Sequence, residues 1–185
     1  NAVAMLSESE RKRGVWTISA GNAGQGVAYA ARQAGVPCSV VAIETAPIAK
    51  LERMKALGAK LVLVSYDAAW QALEDRSYPG VDGTFVHPFD DHNFIAGHAT
   101  MGLEILEDAP DAATVIAGIG GGGLIAGIAG YIKALRPEVR IIGVEPFEAD
   151  AMYQSLAAGR RVRLDHVGLF ADGVAVREVG AITFE

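Results

Sequence analysis

The sequence predicts an α/β protein, with open parallel sheets and helices on both faces. Three observations predict it. Strand-like and helix-like runs alternate from Val15 to Ala158, the sign of repeated strand–helix units. The strand candidates are short, β-branched and continuously apolar, as in Val15-Trp16-Thr17-Ile18. That is how strands buried on both faces read. Two glycine-bearing turns, at 19–24 and 119–124, each join a strand to a helix. Ligands of open parallel sheets bind at such carboxyl ends of strands.

The elements follow in order. Residues 2–12 read as helix, and Ser7 and Glu10 at capping-box spacing allow a restart there. Val15–Ile18 is a strand. A helix runs from Gln25 to Gln33 and stops at Gly35. Cys38–Ile43 is a strand, and Pro47 suits a first helical position. Leu51, Met54 and Leu57 form a helical stripe ending at Gly58. Leu61–Val64 is a strand, with Asp67 as cap of the next helix. Thr84–His87 is a strand. His87-Pro88-Phe89-Asp90-Asp91 is a loop whose aspartates suit a cap for a helix over 93–106. Val115–Ile119 and Val139–Val144 are strands; 124–135 and 149–158 are helices.

Composition narrows the function. The chain has 185 residues, enough for one sizeable core and short for two full domains. A net charge of -6 disfavours a nucleic-acid partner. The most apolar stretch, Val115 to Ile132, is broken by seven glycines and does not read as a membrane span. The single cysteine, Cys38, has no partner for an internal disulfide, so a reducing, cytoplasmic setting is expected. The chain opens on Asn1 within helix-like sequence, and either end is expected to be a fragment boundary.

The run Gly120-Gly121-Gly122-Gly123-Leu124 is the most specific feature. Glycine loses the most backbone freedom on ordering. Four in succession before a helix suit backbone amides crowded around a phosphate. A P-loop is excluded, because no Gly-x-x-x-x-Gly-Lys-Ser/Thr is present. Gly118 to Gly123 matches Gly-x-Gly-x-x-Gly, with Glu145 as a stand-in for the acidic partner and Asp150 beyond it. Glycine density favours an accidental match over a dinucleotide site. The turn at 19–24 offers the Ser19 hydroxyl, the Asn22 amide and backbone donors, which suit a carboxylate or a helix cap.

Taken together, these residues resemble the pyridoxal-phosphate-dependent threonine/serine dehydratases, or ammonia-lyases, of the tryptophan-synthase-β-like fold, nearest the biosynthetic threonine deaminase branch. Ser19-Ala20-Gly21-Asn22 with Gln25-Gly26-Val27-Ala28 resembles the family's asparagine loop. Thr45 to Lys50 with Met54 to Ala59 resembles its next helix. Pro88-Phe89-Asp90-Asp91 with Ile95-Ala96-Gly97 and Thr100 resembles a third block. The glycine run resembles its phosphate cup, and Gly143-Val144-Glu145-Pro146 and Gly168 to Val176 complete the set.

The resemblance implies two lobes with a cleft, the larger one incomplete in this chain. Residues 1–22 would lead to the asparagine loop, 23–110 form mainly the smaller lobe, and 111–185 supply part of the larger cofactor-binding lobe. It implies pyridoxal 5′-phosphate as cofactor. Gly120, Gly121, Gly122, Gly123 and Leu124 would hold its phosphate, and Asn22 its 3′ oxygen. Ser19, Ala20, Gly21 and Asn22 would grip the carboxylate of a small amino-acid substrate. The implied reaction takes L-threonine, or L-serine, to a 2-oxo acid and ammonia. Relatives imply a homo-oligomer for the parent protein, with neither membrane nor nucleic acid as partner.

The chain also departs from the pattern. The family's tethering lysine sits in a Ser-Phe-Lys-x-Arg-Gly-Ala block. None of Lys12, Lys50, Lys55, Lys60 or Lys133 lies in one. The lysine is expected upstream of Asn1, so no catalytic residue is assigned within the chain. Ala23 stands where the family often has histidine. Some relatives bind Mg²⁺ or Ca²⁺ through positions that correspond to Glu145, Ala149 and Ala151. With alanine at the last, and Asp150 only adjacent, no metal is expected. Ala20 favours a dehydratase over a racemase, where serine there can donate a proton. The block from Gly168 to Val176 favours the threonine deaminase branch over cysteine synthases and threonine synthases. A noncatalytic relative is the reading from a different class. His87 and His98 read as structural, His92 and His166 as loop surface, and Asp172 as ordering the loop after 168.

Overall fold

The computed structural model describes residues 1–185, which divide into two compact units, Asn1–Pro88 and Phe89–Glu185.

The first unit is a four-stranded, wholly parallel sheet with flanking helices. Its elements are α1 (Glu8–Arg13), β1 (Val15–Ile18), α2 (Asn22–Ala34), β2 (Cys38–Ile43), α3 (Ile48–Ala56), β3 (Lys60–Val64), α4 (Tyr66–Asp75) and β4 (Thr84–Phe85). Strand order is β3-β2-β1-β4. Register pairs Val15 with Cys38 on one side and Thr84 on the other. The apolar run of β1 is buried along its whole length, with Val15 only 1 % exposed. The one polar residue in it, Thr17, satisfies its hydroxyl by donating to the Val86 carbonyl at 2.7 Å. Left unpaired, that buried hydroxyl would cost roughly 1–3 kcal/mol. Ala28 of α2 and Leu51 and Met54 of α3 pack with Val40 and Ala42 of β2.

Local chemistry sets the helix ends. Residues 2–5 form turns, not helix. The helix begins at Glu8 because the full capping box is made: Ser7 Oγ accepts from Glu10 N, and Glu10 Oε2 accepts from Ser7 N. Helix α2 starts three residues earlier than its apolar pattern shows, at Asn22, and ends on Gly35 in the left-handed region. Pro47 sits one position before α3. The cap of α4 is Ser65, which accepts from Ala68 N, while Asp67 lies within the first turn.

The second unit comprises α5 (His92–Asp108), β5 (Thr114–Gly118), α6 (Gly123–Leu135), β6 (Arg140–Val144), α7 (Ala151–Ala158), a 3-10 turn (Asp172–Val174) and the short α8 (Ala181–Phe184). Strands β5 and β6 form a two-stranded parallel sheet. Helices α5 and α6 pack closely, since a Cβ on Gly127 would strike the Ile95 carbonyl and lie 2.6 Å from His98 Cβ. One core joins Ile128 and Ile132 of α6 to Val139. Another joins Ala151 and Met152 to Leu164, Val167 and Val179.

Here the expectation of strands buried on both faces is corrected. Ile116 of β5 is 66 % exposed and Val144 of β6 is 51 % exposed. Their runs are as apolar as β1, yet only one face of this sheet is covered within the chain.

Candidate functional site

Each strand-to-helix turn flagged by the sequence leaves backbone donors open. In the first unit, β1 ends at Ile18 and its ladder continues through Ser19 N to Val41 O at 2.9 Å. The Ser19 hydroxyl then accepts from Gly21 N at 3.1 Å. Gly21 is the N-cap of α2 and supplies no side-chain cap. The Asn22 side chain is exposed and bonds to nothing within the chain. The structure therefore brings Ser19, Ala20, Gly21 and Asn22 into one tight turn, with Ser19 Oγ shaping it as an acceptor while keeping its own proton to donate, and Asn22 free to reach outward.

In the second unit, β5 delivers the chain into the glycine run and α6 leaves from it. Ile119 N is the last ladder donor, to Val144 O at 2.9 Å. Beyond it, the amides of Gly120, Gly121, Gly122, Gly123, Leu124 and Ile125 have no acceptor within the chain. Gly121, Gly122 and Gly123 are buried. Buried backbone N–H groups are nearly always paired. Three together without acceptors, at the positive end of a helix, are suited to hold an anion.

Glycine is required at these positions. Gly122 has φ +94°, a region that side-chain-bearing residues rarely adopt. A Cβ on Gly121 would run into the Phe89 ring, and one on Gly123 would lie 2.9 Å from the Phe89 carbonyl. A Cβ on Gly122 would lie 2.6 Å from Thr183 Oγ1. Thr183 does not stand out in the sequence, and Phe89 does so only as part of the block Pro88-Phe89-Asp90-Asp91. Each meets the loop only through the tertiary fold.

The other helix starts act as internal controls. Ser7, Ser65 and Asp91 each cap a first-turn amide of α1, α4 and α5. Asp91 Oδ1 accepts from Phe94 N at 2.8 Å. The neighbouring Asp90 reaches a different element, its Oδ1 accepting from Ile182 N at 2.8 Å. Helix α7 is capped from a distance by Glu145, whose two oxygens accept from Met152 N at 2.9 Å and Tyr153 N at 2.8 Å. Helix α3 also lacks a side-chain cap, but Ile48 and Ala49 at its start are open to solvent. Among helix starts of eight residues or more, α6 is the one with a run of buried, open amides.

Glu145 is thus a capping residue. Burial pushes its carboxyl above the ordinary glutamate value, opposed by the two amides. Its role on α7 also removes the acidic partner that a dinucleotide reading needs. Asp150 accepts from Gln154 Nε2 at 2.8 Å, and Ala149 is buried. The remaining polar candidates have structural roles. His87 is buried edge-on to Phe85, and His98 packs edge-on to Phe94, where burial lowers its affinity for a proton. His92 is the first residue of α5, not loop, and is exposed like His166. Asp172 opens the 3-10 turn. Burial raises the Cys38 thiol to about 11.

The chain is 45 % identical over 187 aligned positions to an L-threonine ammonia-lyase of Thermotoga maritima, spanning all of this chain and 46 % of that protein. It is 46 % identical to the biosynthetic L-threonine dehydratase IlvA of Burkholderia multivorans, spanning 37 % of it. The chain therefore spans less than half the length of these curated relatives. Among solved structures, the processed form of threonine deaminase isoform 2 from Solanum lycopersicum superposes with a TM-score of 0.86 at 40 % identity, covering 100 % of this chain and 54 % of that one. Maize serine racemase superposes with a TM-score of 0.86 at 33 % identity, covering 100 % and 56 %. The fold is the one these two solved structures share. The family model for pyridoxal-phosphate dependent enzymes matches residues 1–185, and the chain belongs to that family.

Proposed function

We propose that this chain supplies the phosphate cradle and the asparagine turn of a lyase that deaminates L-threonine to 2-oxobutanoate, and L-serine to pyruvate, releasing ammonia. The single observation that carries the reading is the set of buried, unpaired amides at Gly121, Gly122 and Gly123. Amides at a helix start suit the negative charge of the phosphate carried by the family's cofactor.

When bound, the cofactor supplies an electron sink for the bonds broken at the substrate. The residues of this chain do the holding. The amides from Gly120 to Leu124 take the phosphate, where the partial positive end of α6 favours negative charge. The Asn22 amide meets the 3′ oxygen and orients the ring. The turn Ser19-Ala20-Gly21-Asn22 receives the substrate carboxylate on the open start of α2. Glu145, Ala149 and Asp150 hold no metal in this reading.

The tethering lysine is not among these residues, and we assign it to sequence on the amino-terminal side of Asn1. The relatives named as threonine ammonia-lyase and threonine dehydratase support the substrate. A homo-oligomeric parent and a cytoplasmic setting belong to the same proposal, the latter supported by the unpaired Cys38.

A racemase is the second reading, favoured by the equal TM-score of maize serine racemase. Ala20 distinguishes the two, because it offers no proton donor on the second face of the substrate. The test uses the full natural chain with pyridoxal phosphate. The expected result is 2-oxobutanoate from L-threonine, and one reduced adduct on an upstream lysine after borohydride. D-serine from L-serine without 2-oxo acid would favour the racemase. No turnover and no adduct would favour a noncatalytic relative.

A further inference from the structure

We infer that Thr183 is a positioning residue that aims the Gly122 amide at the bound phosphate. This rests on the phosphate reading of the glycine run.

The geometry is specific. The Gly121 carbonyl accepts twice, from Thr183 Oγ1 at 2.6 Å and from Gly180 N at 3.1 Å. Thr183 Oγ1 also lies 3.3 Å from the Gly180 carbonyl, but its one proton is committed at the shorter contact. The peptide joining Gly121 to Gly122 is trans, as all are in this chain. In a trans peptide the C=O and the following N–H point in opposite directions. Turning the Gly121 carbonyl toward α8 therefore turns the Gly122 N–H away from it. That N–H is one of the buried donors left open.

The anchor is itself held. Asp90 Oδ1 accepts from Ile182 N at 2.8 Å, next to Thr183. A Cβ on Gly180 would collide with Asp90 Oδ1, so the turn entering α8 sits tight against that carboxylate. At Gly121 the loop also meets the Phe89 ring. Glycine's freedom is thus restricted by tertiary contacts made within the protein itself. Preorganised donors avoid the ordering cost at the moment of binding.

The test compares pyridoxal phosphate with pyridoxal, which lacks the phosphate, on the full natural chain and two variants. Thr183→Val keeps the shape and removes the hydroxyl. Thr183→Ser keeps the hydroxyl. The expected result is that Thr183→Val weakens pyridoxal phosphate about 10-fold and leaves pyridoxal unchanged, while Thr183→Ser binds like wild type. Wild-type preference for pyridoxal phosphate with no loss in Thr183→Val would overturn this inference and leave the phosphate reading standing. Equal weakening of both ligands, or Thr183→Ser as weak as Thr183→Val, would overturn it in favour of packing. A wild-type protein that binds both ligands equally would overturn the phosphate reading and this inference with it.

Discussion

The turn at 19–24 and the turn at 119–124 follow the same plan and are finished differently. Both leave a buried or half-buried parallel strand, both carry glycine, and both open a helix whose first amides lack a side-chain cap. In the first, the polar group at the helix start is the exposed side chain of Asn22. In the second, the polar groups are backbone amides at Gly121, Gly122 and Gly123, buried and gripped by Phe89 and Thr183. A site built from backbone donors must have its backbone fixed, because no rotamer can compensate for a misplaced peptide. A site built from a side chain tolerates a looser frame. The difference matches the two proposed roles, holding a constant phosphate and meeting a ring oxygen beside a substrate that comes and goes.

The comparison breaks most sharply at Gly122. Replacing it with alanine forces a Cβ to 2.6 Å from Thr183 Oγ1 at φ +94°. Strain of about 1–3 kcal/mol and loss of aligned buried donors should weaken pyridoxal phosphate by about 100-fold. Equilibrium binding checks this, with pyridoxal as control. Asn22→Ala should cost less, about 10-fold or below, because one exposed hydrogen bond is lost and the loop frame is untouched. Its mark should be spectral, a shift in the absorbance of bound cofactor that Gly122→Ala does not share at saturation.

Much of this is legible in the sequence. Cys38–Ile43 forms the strand its residues predict, and the Ser7–Glu10 spacing marks the restart of α1. The glycine run and the asparagine turn stand out because glycine density and polar punctuation are local signals. What the sequence hides is tertiary. Phe89 and Thr183 carry no local pattern that aims them at Gly121, since Thr183 lies 62 residues from it along the chain. Asp90 and Asp91 read alike as caps, yet it is Asp91 that accepts from Phe94 N, while Asp90 Oδ1 accepts from Ile182 N; which aspartate faces Phe94 N depends on how the chain enters the helix. Ile116 and Val144 read as buried because apolarity reports the burial a strand is suited to. It does not report whether the covering element lies within the chain.

The capped helix α7 sharpens the comparison through pH. The Glu145 carboxyl is raised by burial, so the folded chain holds its proton to higher pH than the unfolded chain does. The stability this gives is full below the ordinary glutamate value and is lost as pH rises through the raised one. Glu145→Gln should flatten that decline above about pH 4.5, seen as a smaller slope of urea midpoint against pH. A smaller effect still is expected at α1. Ser7→Ala removes a capping box outside either turn and should cost about 1 kcal/mol in the same urea titration, without changing the affinity for pyridoxal phosphate.

The most direct measurement is an amide ¹H–¹⁵N titration of the full natural chain with pyridoxal phosphate and, separately, with pyridoxal. The account predicts that the amides of Gly120 to Ile125 shift with the phosphate-bearing ligand and stay in place with the other, and that Met152 and Tyr153 at the capped start of α7 respond to neither. Glycine-run amides that ignore pyridoxal phosphate while it binds elsewhere would contradict it.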